Sequence, residues 1–361
     1  MGWSDVGARV RQARLAAGLT QAQLAHRIGL DRSALARVEA GDRRIDALEL
    51  RVLSDALALP LPFLVTASPD AIVSRRRPLT ETVDIVGRSG FQLDVRLEQH
   101  HLDAQQLLAL NHLTLPARPE LGGAADSAEA KVLARRVRQH LGVDDRPLGP
   151  MAEVCERLAL LVLVVPVDAE GASLREDGYG VAVLGDRADP GRRRATAAHE
   201  LGHHLLGDEY SNDIGIAASR DEREQVIETF AAELLLPESA VEHAGAQTDS
   251  LTLRDALVRV AARWRVSWST TLITAVRALS LSDTARKQLL AAAPTRAEFI
   301  AVLGEAPQPD LEPGATGPRW RRAVLMAYGA GDMTAARTVE LLHGLVTEAD
   351  LPDRAELADR W

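Results

Sequence analysis

The chain has very little cysteine, lysine or aromatic residue. Its single cysteine, Cys155, excludes an internal disulfide and suits a reducing compartment. Aromatics make up 3% of the residues against a hydrophobic fraction of 46%, so its cores must be built from Ala, Leu and Val. Lys131 and Lys287 are the only lysines, and arginine supplies the rest of the 42 basic residues. That is a compositional bias and not by itself a sign of nucleic-acid binding. No apolar run reaches the roughly 18 residues a membrane helix needs: L-A-L-L-V-L-V-V-P-V, near 158 to 167, is too short and stops at prolines. No signal-peptide pattern opens the sequence. These absences exclude disulfide-stapled and membrane-spanning classes, and the expectation is a soluble, cytoplasmic protein with no membrane partner.

What is present is length, and charge of uneven distribution. A chain of 361 residues can hold two or three domains with cores of their own. The net charge of −9 conceals a basic beginning: residues 1 to 77 carry 12 Arg against 8 Asp plus Glu, while the remainder carries 30 basic against 43 acidic residues. Only the N-terminal part is charged to suit a polyanion.

That part reads as five short helices over residues 1–66. Ser4 or Asp5 can cap the first, with Val6, Val10 and Leu15 facing inward. Thr20 caps a second that Gly29 stops, and Asp31 or Ser33 opens a third carrying Leu35, Val38 and Glu39. A fourth covers about Ala47 to Leu57, with a closing turn near Pro60 to Val65. The tight connection between the second and third makes a helix-turn-helix. The text R-x-x-R-L-A-A-G-L-T-Q-A-Q-L-A-H-R-I-G-L-D-R-S-A-L-A-R-V-E-A-G-D-R-R-I resembles the Cro/cI-type (XRE) repressor domain. The resemblance implies a double-stranded DNA operator as partner, with the third helix in the major groove. Gln21, Arg32, Ser33 and Arg37 would then face bases or phosphates, and Arg43 and Arg44 the backbone. It also implies a homodimer on paired half-sites.

Residues 67–126 read as a linker and helical connector. Prolines and the basic run Arg75 to Arg77 mark a hinge, and leucines from 91 to 113 mark helix. His100 and His101 lack ligand spacing and are expected to be structural or surface residues. From Ser127 a helix runs to about His140, and a second follows Pro147. A strand at 160 to 167, a turn through Gly171 and a second strand from Gly178 to Leu184 complete a small sheet. An edge somewhere in 178 to 184 is expected to hold an extended substrate.

The chemistry lies just beyond. His199, Glu200 and His203 form an H-E-x-x-H on a helical stretch, so both imidazoles reach one ion and Glu200 leans over its open position. Catalytic zinc takes three protein ligands plus water, so a third group is required. The run R-E-Q-V-I-E-T-F-A-A-E-L-L-L-P from 223 to 237 brings carboxylates on a second helix. Glu224 is expected as the third ligand, and Glu228, one turn later, as acceptor of a hydrogen bond from a ligand imidazole. Gly202 allows another backbone to come close. The ion is Zn2+, with Mn2+ an open alternative.

Residues 127 to 237 resemble the ImmA/IrrE family of metallopeptidases. The upstream helix pair and strand, A-T-A-A-H-E-L-G-H, and the F-A-A-E-L-L-L-P stretch carry the resemblance. It implies zinc on His199, His203 and Glu224, with Glu200 as general base. It further implies cleavage of a repressor or antitoxin-like protein that controls stress or mobile-element genes. The chain departs from the family where an Ala-Asn or Ala-Asp pair is usual, carrying Ile227-Glu228. Tyr210 is a phenol close in sequence that could serve as an oxyanion donor, though the expectation is a surface tyrosine.

Residues 248–304 repeat a helix-turn-helix rhythm around Val266-Ser267, expected to cover the metal domain rather than bind DNA. Residues 305–361 read as a small helical module. The fold class expected is thus multidomain and mainly α. An all-α five-helix head comes first, then an α+β zincin-like metallopeptidase domain with a small sheet over 127–247, then an α-helical C-terminal region. The functional alternative is a transcription factor whose zincin-like domain is a non-catalytic sensory or structural module.

Overall fold

Three short strands separate two hydrophobic cores. The computed structural model describes residues 1–67, 85–207, 217–246, 252–305 and 310–354. Strands β1 (Leu160–Val165), β2 (Gly171–Arg175) and β3 (Gly180–Gly185) lie in the order β1-β3-β2, with β1 parallel and β2 antiparallel to β3. Successive side chains point to opposite faces, so Leu160, Val162, Val164, Ala182 and Leu184 enter one core. Leu161, Leu163, Val165, Val181 and Val183 enter the other. Because helices cover both faces, β1 and β3 are unbroken apolar runs and not alternating ones.

The N-terminal head is α1 (Trp3–Ala16), α2 (Gln21–Arg27), α3 (Arg32–Ala40), α4 (Ala47–Leu57) and α5 (Leu61–Val65). Local chemistry sets most of its boundaries. Thr20 and Gln23 cap α2 reciprocally, Asp31 caps α3 through the Ala34 amide, and Gly41 ends α3 in the left-handed conformation. Gly2, not Ser4 or Asp5, occupies the N-cap position of α1, and Asp5 in the first turn caps it by accepting from the Gly2 amide at 2.6 Å. A third core, around Val10, Leu24, Leu35, Val38 and Leu53, holds these helices together. The long helix α6 (Ile85–Ala109) leaves this head and runs to the sheet. Phe91 and Val95 pack into the head while Leu93, Leu97, Ala104 and Leu107 enter the core on one face of the sheet.

Against the opposite face lie α7 (Ser127–His140), α8 (Met151–Arg157), α9 (Pro190–Leu206), α10 (Ala217–Leu235), α11 (Glu238–Ala246), α12 (Leu253–Trp264) and α13 (Trp268–Ala278). As expected, the 266–267 turn is a packing element: Trp264, Val266 and Leu272 are buried in this core, and a Cβ on Gly191 of α9 would meet the Ser267 backbone nitrogen at 2.6 Å. Helices α14 (Asp283–Ala291) and α15 (Arg296–Leu303) are more exposed, with no buried residue in either. Residues 310 to 316 then return to the sheet: the Gly314 amide donates to Val164 O at 2.9 Å and the Val164 amide to Ala315 O at 3.2 Å. Helices α16 (Pro318–Gly329) and α17 (Ala335–Leu341) follow. Sequence reading set residues 305–361 apart as a module, but Trp320, Val324 and Leu341 share the core of α6 and the sheet. None of the helices among the described residues is long and apolar enough to cross a membrane.

Candidate metal centre and nucleic-acid interface

The metal centre is made where α9 and α10 cross. Asp189 caps α9 by accepting from the Arg192 amide, Pro190 opens it, and Gly207 closes it at φ +68°. Buried arginines secure its first turn: Arg193 donates to Asp186 O and Ala188 O and pairs with Glu312 at 3.0 Å, while Arg194 pairs with Asp310 and donates to Gly149 O. Asp310 also accepts from the Met151 amide at the start of α8. Nothing in the local sequence predicts this strap, because its partners lie more than 100 positions apart.

One turn further along α9, His199 and His203 bring their Nε2 atoms to 3.1 Å of each other. Glu224 approaches from α10, with Oε2 3.4 Å from His199 Nε2 and Oε1 3.9 Å from His203 Nε2. All three ligand atoms lie within 4.8 Å of one another. Donors about 2.0–2.1 Å from a tetrahedral ion sit roughly 3.3 Å apart, so two neutral imidazoles and a carboxylate at these distances fit zinc. This is the one such cluster of three His, Cys, Asp or Glu among the described residues.

Close helix packing makes that convergence possible. A Cβ on Gly202 would lie 2.9 Å from Ile227 Cγ2 and 3.1 Å from Phe230 Cδ1, so only glycine leaves room for α10 at this crossing. Ile227, the residue that departs from the family pattern, is fully buried against it. Glu228 corrects an expectation. It is exposed together with Asp221 and Gln225, whereas Glu224 aligns with the buried Ile227 and Ala231. Glu228 is thus on the solvent side of α10, while Ile227 and Phe230 face Gly202.

Glu200 is 7% exposed and accepts a hydrogen bond from Ser173 Oγ at 2.6 Å. Ser173 stands on β2, a stretch read from sequence as a turn. Gly171 on the same face permits the approach, since a Cβ there would meet Thr196 Cγ2 at 2.6 Å and Glu200 Oε1 at 3.2 Å. The edge strand beside the metal helix is therefore β2. The expected edge at 178 to 184 is β3, which is paired on both sides and has no free backbone to offer. His204, next to the ligands, is buried with its Nε2 3.1 Å from Leu158 O, and its Nδ1 would be 2.5 Å from a Cβ on Gly180. Tyr210 lies outside the described residues, as does the Arg75 to Arg77 run.

In the head, Arg32, Ser33 and Arg37 are exposed on α3, and Arg44 is exposed just after it. Gln21 is engaged differently from expectation, donating to Glu39 Oε2 at 2.9 Å, and Arg43 pairs with Glu49 at 2.6 Å. Ser33 donates to Asp31, which with the Ala34 amide holds that carboxyl below its ordinary range. His100 and His101, expected as structural or surface residues, are both buried; His100 lies tilted against Trp320 with ring centroids 4.6 Å apart, and His101 faces Glu176 at 3.3 Å.

Two family profiles match the chain. Residues 10–64 match the family profile described as helix-turn-helix, and residues 155–275 match that of the IrrE N-terminal-like domain, a peptidase family. The second match takes in α9, α10 and the helices that cover them. No curated protein matches the chain. Among solved structures, ComR from Streptococcus suis aligns with 99% of this chain and 93% of its own at 12% identity, with a TM-score of 0.18, too low to carry an argument about fold. The chain thus joins a helix-turn-helix domain to an IrrE N-terminal-like peptidase domain in which His199, His203 and Glu224 form a cluster that could hold a metal ion.

Proposed function

We propose that this protein is a DNA-binding transcriptional regulator whose zinc-dependent peptidase domain cleaves a repressor or antitoxin-like protein, controlling stress or mobile-element genes. The observation that carries the peptidase reading is the convergence of His199, His203 and Glu224 within 4.8 Å, with the buried Glu200 next in sequence to the first of them. A divalent ion held by those three residues, zinc or manganese, would polarise the scissile carbonyl and acidify the attacking water. Glu200 takes the proton of that water and returns it to the leaving amine. Ser173 holds Glu200 Oε2 at 2.6 Å and so orients the carboxylate for proton transfer. β2 is an edge strand whose outer backbone pairs with no strand among the described residues, so an extended peptide can align along it toward the metal ligands. The exposed Arg32, Ser33, Arg37 and Arg44 support recognition of double-stranded DNA, with Gln21 and Arg43 reaching it once they leave their carboxylate partners. Two copies on paired half-sites would supply the contact area that one small module lacks.

Glu200→Gln tests the reading. The variant should bind zinc as the parent does, lose cleavage, and retain its substrate in a pull-down from cells. If gene control by the Glu200→Gln chain is indistinguishable from the parent, the domain acts as a sensor or scaffold and the peptidase reading is wrong.

A further inference from the structure

Where α6 leaves the helix-turn-helix head, it closes one side of an open groove of about 940 Å³. Arg11 and Arg14 of α1, Gln21 at the start of α2, Arg32 and Glu39 of α3, and Arg88 of α6 are among its lining residues. Glu39 is the only acid among them and is already engaged: Arg14 pairs with it at 2.7 Å and Gln21 donates to it at 2.9 Å. The charges of Arg32 and Arg88 therefore meet no second acid among the described lining residues. Arg88 is exposed, and its guanidinium sits over the α1–α2 turn, with Nη2 3.2 Å from the position a Cβ would take on Gly18.

The placement of Arg88 is fixed by packing. Arg88, Phe91 and Val95 follow one another on a single stripe of α6, and the latter two are anchored in the head. The Phe91 ring meets Phe63 edge-on at 5.5 Å, and Glu98, one turn beyond Val95, pairs with buried Arg9 at 2.8 Å. In a helix-turn-helix the second helix enters the major groove while the first crosses the backbone. The groove beside the start of α2 and the flank of α3 is then where a backbone phosphate passes.

Resting on the DNA-binding reading above, we propose that Arg88 is a phosphate contact. It completes with Arg32 a site for a DNA phosphodiester, so that the duplex is gripped by the head and by the connector helix of the peptidase domain together. A dissociated phosphorylated ligand shares this chemistry, and the experiment separates the two.

Binding of the full-length chain to a random-sequence duplex is followed by fluorescence anisotropy across a salt series. Losing one phosphate contact reduces the slope of log affinity against log salt by about 0.9. The affinity deficit of Arg88→Ala should therefore shrink about 3.5-fold between about 50 and about 200 mM salt. Arg88→Lys, which keeps the charge, should hold the parental slope. Arg286→Ala, which removes the same charge from the exposed surface of α14, should leave it unchanged. A parental slope in Arg88→Ala overturns the proposal while leaving DNA binding intact, and so does calorimetric binding of inorganic phosphate that depends on Arg88 when the DNA slope does not. If the parent chain binds no duplex at all, the DNA-binding reading falls and this inference falls with it.

Discussion

At the scale of single residues, the site depends on small groups in crowded places. Gly202→Ala puts a methyl group within 3 Å of Ile227, and overpacking of this kind costs about 1–3 kcal/mol. Because relief requires α10 to move, Glu224 should retreat from the histidines. The expected result is a lower melting temperature together with weaker zinc binding in a competition titration; parental zinc affinity would show that the helices do not need this approach. Zinc itself should stabilise the folded chain, by about 2.7 kcal/mol at 100 times its Kd. His203→Ala should abolish that stabilisation and Glu200→Gln should keep it, since only the first removes a ligand. Two buried histidines away from the site should make stability depend on acid. Burial depresses His100 to about 3, with His343 adding to the shift, and depresses His343 to about 4. The unfolded chain binds a proton at each near the ordinary 6.5, so it holds more protons than the folded chain below that pH. Stability is full above about 6.5 and falls by up to about 1.4 kcal/mol per pH unit per histidine as pH drops toward 4. His343→Asn tolerates the positive φ of 50° at this position and should flatten the acid limb of a melting-temperature profile.

At the scale of elements, the strap from Asp310 to Thr316 holds the metal helix. Asp310 pairs with Arg194 and accepts from the Met151 amide, and both ends of the pair are nearly inaccessible to water. Asp310→Ala leaves the Arg194 guanidinium buried without its carboxylate, a change that costs about 3–5 kcal/mol. Denaturant unfolding should register that loss, and an effect below about 1 kcal/mol would mean that water compensates the charge. This strap also shows where reading from sequence stops. The head was legible because Thr20, Asp31, Gly29 and Gly41 signal their roles within a few residues of themselves. Helix α9 was legible because H-E-x-x-H combines ligand chemistry with helical spacing. Strand β2 was not, since G-A-S-L-R contains one large apolar residue and becomes a strand only by pairing with β3. Its Ser173 was missed as the partner of Glu200 for the same reason, although Gly171 two positions earlier is the kind of residue that marks a close approach. Glu224 and Glu228 could not be told apart by their chemistry. What separates them is the rotation between two positions on α10, which depends on where Ile227 and Phe230 meet Gly202.

At the scale of the molecule, α6 decides whether the head and the peptidase body behave as one. Its 25 residues span about 37 Å, long enough to reach from the head to the far side of the sheet. Near its middle the helix serves both cores at once, with Val95 facing the head and Leu93 and Leu97 facing the sheet. The Arg9–Glu98 pair lies at this junction, with each side chain under 10% exposed. Arg9 also donates to Phe63 O and stacks over the Phe63 ring at 4.6 Å. Removing one partner of a buried ion pair costs far more than the pair contributes, because the remaining charge must be accommodated. Glu98→Ala should therefore weaken the seam by about 3 kcal/mol while leaving the zinc ligands on α9 and α10 in place. In calorimetry the head should separate as an earlier transition ahead of the body, and limited proteolysis should release it sooner. Zinc stoichiometry should stay at the parental value. A single transition at the parental temperature would show that the apolar contacts of Phe91 and Val95 hold the seam without the ion pair. In that event head and body are joined by packing alone, and a phosphate bound by Arg88 would act on a junction that charge does not control.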